Sequence, residues 1–379
     1  MNSHYIPCLL LRQFAQNGKV NTFDFKSQTF MTKKIQKTFA EKDLFDADLE
    51  QAFSKQIEGP LGDLLNHKLL HKDRIEINRS ENFLMRKFIM LNNLRAPIVN
   101  KTWEEMVELT KTKDHPSIQM TEYFKKYVKG AQDAFEEMMS HKKTYFSNLR
   151  TLIEAESLRK LAEESEAKGN SKVLSYSAQN MIVTPIAFWD CEDTGQEFIL
   201  PKLPGISQMD YRGIFYKISV PEGLRTKKKM TALEEQIFNR LLSGSILFSD
   251  NFSMHPISPT RMIVRFSPYF RGFFPENDVL RPNLCFAPLL EKKQFQNHFF
   301  NKTRMTLFEP CSTYWNLKYE YSVKKLTKTE TMELNSILLD METDEMVFHD
   351  FNKIRDSLWF YDHVVKLAWG KKHNFSRFE

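Results

Sequence analysis

A strand-like segment near the start of the chain constrains the fold more than any other feature of the sequence. Residues 17–25, NGKVNTFDF, combine an Asn-Gly pair, which favours a tight turn, with β-branched and aromatic residues that suit a strand. One strand is not stable by itself, and the residues from 43 to 168 have a helical pattern. The sequence therefore predicts that this strand belongs to the same folded unit as the strands of the second half of the chain.

The residues before this strand, HYIPCLLLRQF at positions 4–14, predict a buried first element. The apolar run IPCLLL is about six residues long, which is too short for the core of a signal peptide. The sequence also has no stretch of about 18 apolar residues that could span a membrane. We expect an extended or helical element after Pro7, with these side chains in the core: Ile6, Leu9, Leu10, Leu11 and Phe14.

The cysteine pattern indicates the redox environment. The four cysteines, Cys8, Cys191, Cys285 and Cys311, lie far apart and form no CxxC pair. A zinc site built on cysteines and a disulfide framework are therefore both disfavoured. We expect a soluble cytoplasmic protein with reduced thiols and no membrane partner.

The order of patterns along the chain predicts an α+β fold. A motif and strand occupy residues 1–42, a helical region covers 43–168, and short strand-like runs with two closing helices fill 173–379. This order predicts an N-terminal strand or hairpin and a helical half packed on a mixed β-sheet, with a helical C-terminus. We expect residues 1–379 to form one composite domain.

Several large enzyme classes are disfavoured by the absence of their motifs. The chain has 12 glycines and no Walker A loop, GxGxxG fingerprint, GxSxG elbow or kinase motif set. Nucleotide-dependent motors, Rossmann oxidoreductases and α/β-hydrolases are therefore not expected. The net charge of +6 permits contact with nucleic acid, and basic clusters at 32–37, 225–230 and 369–378 are the candidate phosphate contacts.

The opening motif and several later segments resemble the DUF4238 family of bacteria and fungi. Members of that family begin with a His-x-x-Pro, a leucine-rich step, an arginine and a phenylalanine, followed by Gly-Lys-Val and a strand that ends in aspartate. The matching residues here are His4, Pro7, Leu11, Arg12, Phe14, Gly18, Lys19, Val20 and Asp24. Later matches are Ile57-Glu58, the segment LMRKFIMLNNLRAP with Arg86 and Arg95, and the segment HPISPTRMIVRFSP.

One family segment has two possible counterparts in this chain. Family members usually carry a Phe-Ile-Leu-Thr-(Ser/Asp)-Asn-Pro-like sequence. The stretch EFILPKLPG, within residues 196–205, lacks the polar residues, whereas ILFSDNF, residues 246–252, keeps Ser249, Asp250 and Asn251 but lies closer to the PISP motif. The family name carries no reaction.

The candidate catalytic residues combine the opening motif with carboxylates. Imidazole can act as a general base near neutral pH, and a guanidinium group can clamp a phosphate or carboxylate. Asp250 follows an apolar run and is suited to hold a divalent metal or to orient His4. The alternative for each residue is structural, as a local hydrogen-bonding network or a turn. The candidate set is His4, Arg12, Asp24, Glu58, Asp250 and Asn251.

Two hypotheses for the function remain open from the sequence. The first is a hydrolase, nuclease-like, that acts on nucleic acid or nucleotide in defence against phage or as a toxin. It requires the candidate residues to converge in space. The second is a non-enzymatic module in which the helical region 43–168 binds a protein or nucleic-acid partner.

Overall fold

The computed structural model of the chain combines helices with strands, as the sequence predicts. The structure describes residues 2–4, 6–42, 45–95, 149–156, 161, 181, 186–202, 205–207, 252–265, 319–341, 344–365 and 373–375. These residues form helices together with antiparallel and parallel strand pairs. The protein is therefore an α+β protein with a strand-bearing N-terminus, a mixed sheet and helices near its C-terminus.

The N-terminal region contains four strands and one helix: β1 (Asn2–His4), α1 (Cys8–Phe14), β2 (Lys19–Asp24), β3 (Thr29–Lys34) and β4 (Ala40–Lys42). The predicted tight turn is confirmed: Asn17 and Gly18 have φ angles of 51° and 72°. On either side of this turn, Gln16 and Lys19 exchange backbone hydrogen bonds of 2.8 and 3.0 Å. The predicted burial of the opening element is also confirmed, since its five apolar side chains are at most 7% exposed.

The helical region begins with α2 (Ala47–Ala52), a π-helical turn (Phe53–Glu58) and α3 (Gly59–Leu64). The Gly-Pro pair at 59–60 predicts a break, but the backbone stays helical through it. The reason is the wide turn, in which the Gly59 N–H bonds to the carbonyl of Ser54 and the following proline falls in the first turn of α3.

The region expected to be helical throughout also carries one strand, β5 (Arg74–Ile77), before α4 (Arg79–Arg95). Its alternating burial pattern suits a strand that pairs along one edge. A serine before an apolar helical pattern predicts an N-cap at Ser80, but the structure gives that role to Asn78. The side chain of Asn78 accepts from the Glu81 N–H at 3.0 Å, and Glu81 accepts from the Asn78 N–H at 2.8 Å, which is a capping box.

The second half of the chain contributes the remaining described elements. They are β6 (Ile186–Asp190), β7 (Leu200–Pro201), β8 (Gly205–Ser207), β9 (Phe252–Pro256), β10 (Arg261–Arg265), β11 (Tyr319–Lys325), α5 (Lys328–Met341), β12 (Glu345–Phe348) and α6 (Phe351–His363). Among the described strands, one sheet has the order β5-β11-β6-β10-β9-β8 and another the order β3-β2-β12-β7. Because β11 runs parallel to β6 and the other pairs are antiparallel, the larger sheet is mixed.

The N-terminal strand β2 finds its partners on both sides. It pairs with β3 and, from the far end of the chain, with β12, so that Asp24 lies opposite Glu345. The large apolar cluster likewise contains side chains from both halves, including Leu11, Leu49, Phe88, Phe188 and Val347. These contacts support our proposal that the chain folds as one unit.

The PISP motif forms the hairpin between β9 and β10. Ser258 Oγ accepts hydrogen bonds from the backbone N–H of Thr260 and of Arg261, at 3.3 and 2.9 Å. Directly across the sheet from Arg261 lies Asp190, and the two side chains form an ion pair of 2.8 Å. Both are at most 2% exposed, so this family-like segment has a structural role in the sheet.

The length and composition of the described helices decide whether any of them can cross a membrane. None of them combines the length and the apolar character that crossing a bilayer requires.

Candidate functional site

His4 and Asp24, two of the predicted site residues, lie near opposite ends of the β2–β3 hairpin. The half-buried His4 donates from Nε2 to the backbone carbonyl of Ile35 at 3.3 Å, just after the end of β3. Asp24 pairs with Thr29 at the other end of the hairpin. Six residues of strand span about 17 Å, so the hairpin separates the two groups.

Asp24 has a local structural environment. Its Oδ1 accepts hydrogen bonds from the backbone N–H of Ser27 at 2.7 Å and from the hydroxyl of Ser27 at 3.0 Å. These bonds lower the pKa of the Asp24 carboxyl, the backbone bond most of all. The arrangement is that of an Asp that shapes a tight turn.

The other predicted residues are spread over different elements. Arg12 is exposed in the last turn of α1, and Glu58 is half-buried at the end of the π-helical turn. Asp250 and Asn251 lie outside the described residues, as do the basic cluster 225–230 and most of 369–378. Convergence of the full set, including Asp250, stays a prediction.

Phe375, in the described part of the C-terminal cluster, packs in the core. Phe375 is 2% exposed, and its ring lies 5.6 Å from that of Phe23 and 5.7 Å from that of Tyr361. This aromatic side chain is therefore committed to packing and is not available to stack on a base. Contact of the basic residues of 369–378 with phosphates stays a prediction.

A cleft of about 580 Å³ lies where the N-terminal region meets the start of α6. It combines amide, hydroxyl, imidazole and carboxylate groups with three phenylalanine rings. Its lining residues are Gln16, Asn21, Phe30, Met31, Thr32, Phe348, His349, Asp350 and Phe351. Such a mixture of ring surface and a few polar groups is typical of ligand-binding clefts.

Strand register explains why several side chains of the lining, from three different strands, share one surface. Asn21 lies opposite Thr32 on β3 and opposite Phe348 on β12, so all three project from the same face of the sheet. Two residues earlier on β2, Lys19 lies opposite Lys34, and the alternation of side chains puts this exposed pair on that face as well. We call the cleft and these two lysines the cleft face.

His349 is fixed in the cleft by residues from the N-terminal region. Its Nδ1 donates to the carbonyl of Phe14 at 3.2 Å, and its Nε2 lies 3.1 Å from the amide nitrogen of Gln16. These partners assign the proton to Nδ1 and leave Nε2 as an acceptor toward Gln16. The backbone carbonyl of His349 accepts from the side chain of Asn21 at 2.8 Å. The end of the opening motif thus orients the imidazole.

A buried carboxyl group supports the cleft from behind. Oε1 of Glu197 accepts hydrogen bonds from the backbone N–H of His349 at 2.6 Å and of Asp350 at 2.8 Å. The side chain is fully buried, and this burial raises the pKa of Glu197 to about 7, against the opposing effect of the two backbone bonds.

The sequence contains only weak signals for these residues. A glutamate followed by the apolar run Phe198–Leu200 is unusual and marks a buried carboxyl candidate. Asp350 directly before a helical pattern is an N-cap signal, and its side chain does accept from the Asn352 N–H at 2.9 Å. Nothing in the sequence pairs Glu197 with His349, because they are 152 positions apart.

Metal binding finds no support among the residues that the structure describes. Within those ranges, no group of three or more His, Cys, Asp and Glu side chains is arranged to hold a metal ion. The predicted metal ligand Asp250 lies outside them, so that expectation stays a prediction.

The fold and the cleft define an α+β protein with an aromatic and polar cleft, and two lysines lie on the same sheet face as part of its lining. The chain belongs to the family described as "Protein of unknown function (DUF4238)", whose model matches residues 2–352. The resemblance that the opening motif carries is thereby confirmed. Neither a curated protein nor a solved structure matches the chain.

Proposed function

We propose that this chain binds nucleic acid or a nucleotide on the cleft face. The observation that carries the proposal is the strand register, which aligns Lys19 and Lys34 with the amide and aromatic side chains of the cleft. The groups of a nucleotide are complementary to these side chains. Its anionic phosphate matches the lysines, and its planar, hydrogen-bonding base matches the amide and aromatic side chains.

Each part of the cleft face matches one part of such a ligand. The rings of Phe30 and Phe351, 4.6 Å apart at their centroids, offer apolar surface for a base, and stacking of this kind contributes about 1–3 kcal/mol per base. Thr32 donates to Asn21 Oδ1 at 3.2 Å, and Asn21 donates to the His349 carbonyl at 2.8 Å, which leaves the second amide N–H of Asn21 and the hydroxyl lone pairs of Thr32 for base edges. Lysines attract phosphate without sequence preference.

The exposed lysines provide the test, because their substitution leaves the core intact. A fluorescently labelled single-stranded dT12 oligonucleotide is titrated with protein, and its anisotropy is followed at several salt concentrations. In Lys34→Gln we expect weaker binding. The slope of the logarithm of the binding constant against the logarithm of the salt concentration should fall by the amount that about one phosphate contact contributes. Lys55→Gln, an exposed lysine on the π-helical turn, is the matched control.

The outcomes separate nucleic acid from a protein partner. Equal binding by Lys34→Gln and Lys55→Gln would contradict the assignment of the site to the cleft face. Failure of the parent protein to bind dT12 at low salt would contradict the function itself and favour a protein partner. Competition by unlabelled AMP distinguishes recognition of a nucleotide from recognition of a strand.

His349 favours hydrolysis as the second candidate function. Its Nδ1–H is held by a carbonyl and its Nε2 accepts from the exposed amide of Gln16, which a ligand can displace, so the imidazole is oriented as a general base requires. Nuclease-like action in defence or toxicity is part of this second proposal. Release of short products from labelled dT12 by the parent but not by His349→Gln would support it, and intact oligonucleotide with both proteins would count against it.

A further inference from the structure

Glu197 is held more rigidly than a surface carboxylate. The backbone carbonyl of Glu197 accepts from the side chain of Asn335 on α5 at 2.8 Å, and the Asn335 amide also donates to Ser357 on α6 at 2.9 Å. Two residues further along the chain, the backbone N–H of Ile199 donates to Asn335 Oδ1 at 3.3 Å. The backbone at Glu197 is thus fixed by α5 and α6, while its carboxyl group bonds to the backbone of the cleft.

Only one oxygen of this carboxyl group is used. Oε1 accepts from the two backbone N–H groups of the cleft, whereas Oε2 is buried without a hydrogen-bond partner in the structure described. A charged carboxylate with an unpaired, buried oxygen is costly, and a proton on Oε2 removes that cost.

The charges around Glu197 leave its protonation open to influence from the cleft. On α6 and its cap, Asp350 raises the pKa of Glu197 and Lys353 lowers it. From the neighbouring Gln196, a hydrogen bond of 3.3 Å reaches Asp356, which is itself paired with Lys328 at 2.6 Å. The groups that α5 and α6 direct at the carboxyl region, Asn335 and Ser357, are neutral, and His349 faces it with its backbone.

We propose that Glu197 is a positioning residue of the cleft that takes up a proton when an anionic ligand binds there. This inference rests on the proposed function. The phosphates of a ligand on the cleft face add negative charge to the cleft and so disfavour a negative charge on Glu197 behind it. Ligand and proton therefore bind with positive coupling. The proton comes from solvent and forms an O–H bond at Oε2, while Oε1 keeps its two backbone bonds.

Calorimetry measures this proton directly. The dT12 oligonucleotide is suitable because its phosphodiesters do not titrate near neutral pH. Binding heats at pH 7.5 in Hepes and in Tris buffer differ by the number of protons exchanged multiplied by the difference between the ionisation enthalpies of the two buffers. If the ligand strengthens proton binding tenfold, uptake at this pH is about half a proton per site.

Two variants isolate the contribution of Glu197 to the proton uptake. Glu197→Gln keeps the Oε1 acceptor and resembles the protonated acid, so we expect proton uptake to fall by that half proton. Glu192→Gln makes the same charge change at an exposed residue nearby and should leave the uptake as in the parent. Equal uptake in the parent and in Glu197→Gln, with binding intact, would overturn the inference and leave the proposed function standing.

Hydrogen exchange of the ligand-free protein tests the positioning role separately from ligand binding. A charged acceptor makes stronger hydrogen bonds, so the protection of the His349 and Asp350 amides against hydrogen exchange should rise between pH 6 and 8 in the parent. In Glu197→Gln it should not change with pH beyond the intrinsic rate. The same pH response in both proteins would overturn the positioning role. Absence of dT12 binding would overturn the proton uptake together with the proposed function.

Discussion

The ion pair between Asp190 and Arg261 provides the sharpest test of how the sheet is stabilised. It joins the end of β6 to the start of β10 at 2.8 Å, with both side chains buried. Asp190 Oδ1 also accepts from the Glu192 N–H at 3.0 Å and from Lys325 at 3.2 Å, and Arg261 donates to the Lys72 carbonyl at 2.9 Å. We expect each single substitution to be far more harmful than loss of a surface ion pair.

The magnitudes follow from what each variant leaves behind. Arg261→Met leaves a buried carboxylate with the partly exposed Lys325 as its remaining cation, so we expect a loss of about 3 kcal/mol. Asp190→Asn leaves a buried guanidinium whose counter-charge is gone, which costs about 3–5 kcal/mol. The double variant removes both charges, so its cost should be smaller than the sum by about 2 kcal/mol.

Equilibrium unfolding in urea measures these values as shifts of the midpoint at constant slope. The control is Lys328→Met, which breaks the more exposed pair with Asp356 and should cost less than about 1 kcal/mol. If Arg261→Met costs no more than this control, or if the two single effects simply add, the buried pair is not the coupling element that its geometry indicates.

Three further substitutions test the opening element, the turn and the buried carboxyl. Leu11→Ala, at a side chain with 0% exposure, should reduce the free energy of unfolding by about 2–5 kcal/mol in urea titrations, and a loss below 1 kcal/mol would contradict its core role. Gly18→Ala should cost about 1 kcal/mol because its φ of 72° disfavours a Cβ, and an unchanged melting temperature would argue otherwise. The folded state keeps the Glu197 proton to a pH of about 7, whereas the unfolded chain releases it near 4.5, so the parent should lose on the order of 3 kcal/mol as the pH rises through that window. Glu197→Gln should lack this loss of stability. Parallel profiles of unfolding free energy against pH for the parent and for Glu197→Gln would contradict the raised pKa of Glu197.

The elements with strong local signals were predictable from the sequence. Asn17-Gly18 specifies the tight turn because only such residues readily adopt positive φ at two successive positions. The closing helices Lys328–Met341 and Phe351–His363 follow the helical periodicity of their segments. The strand Arg74–Ile77 was missed, because four residues within a helical region give too short an alternation to outweigh their surroundings.

The candidate site was predictable only in part. The sequence directs attention to the opening motif, and the backbone at its end, the Phe14 carbonyl, does contact the cleft histidine. The sequence does not identify His349 as a cleft residue, because its neighbours along the chain have the pattern of an ordinary helix start. Side-chain type alone cannot separate such a residue from a structural one, since the difference lies in the hydrogen bonds that it makes in space.

The sequence by itself determined the α+β class, the burial of the opening element, the tight turn at 17–18 and the family, because these depend on local periodicity, turn residues and a linear motif. Only the tertiary structure decided that β2 pairs with β12, and this pairing brings Gln16 to His349 across 333 positions. It also decided that Glu197 is buried behind the cleft. Strand partners and the burial of a carboxyl group depend on the whole packed core, and no short window of sequence contains that information.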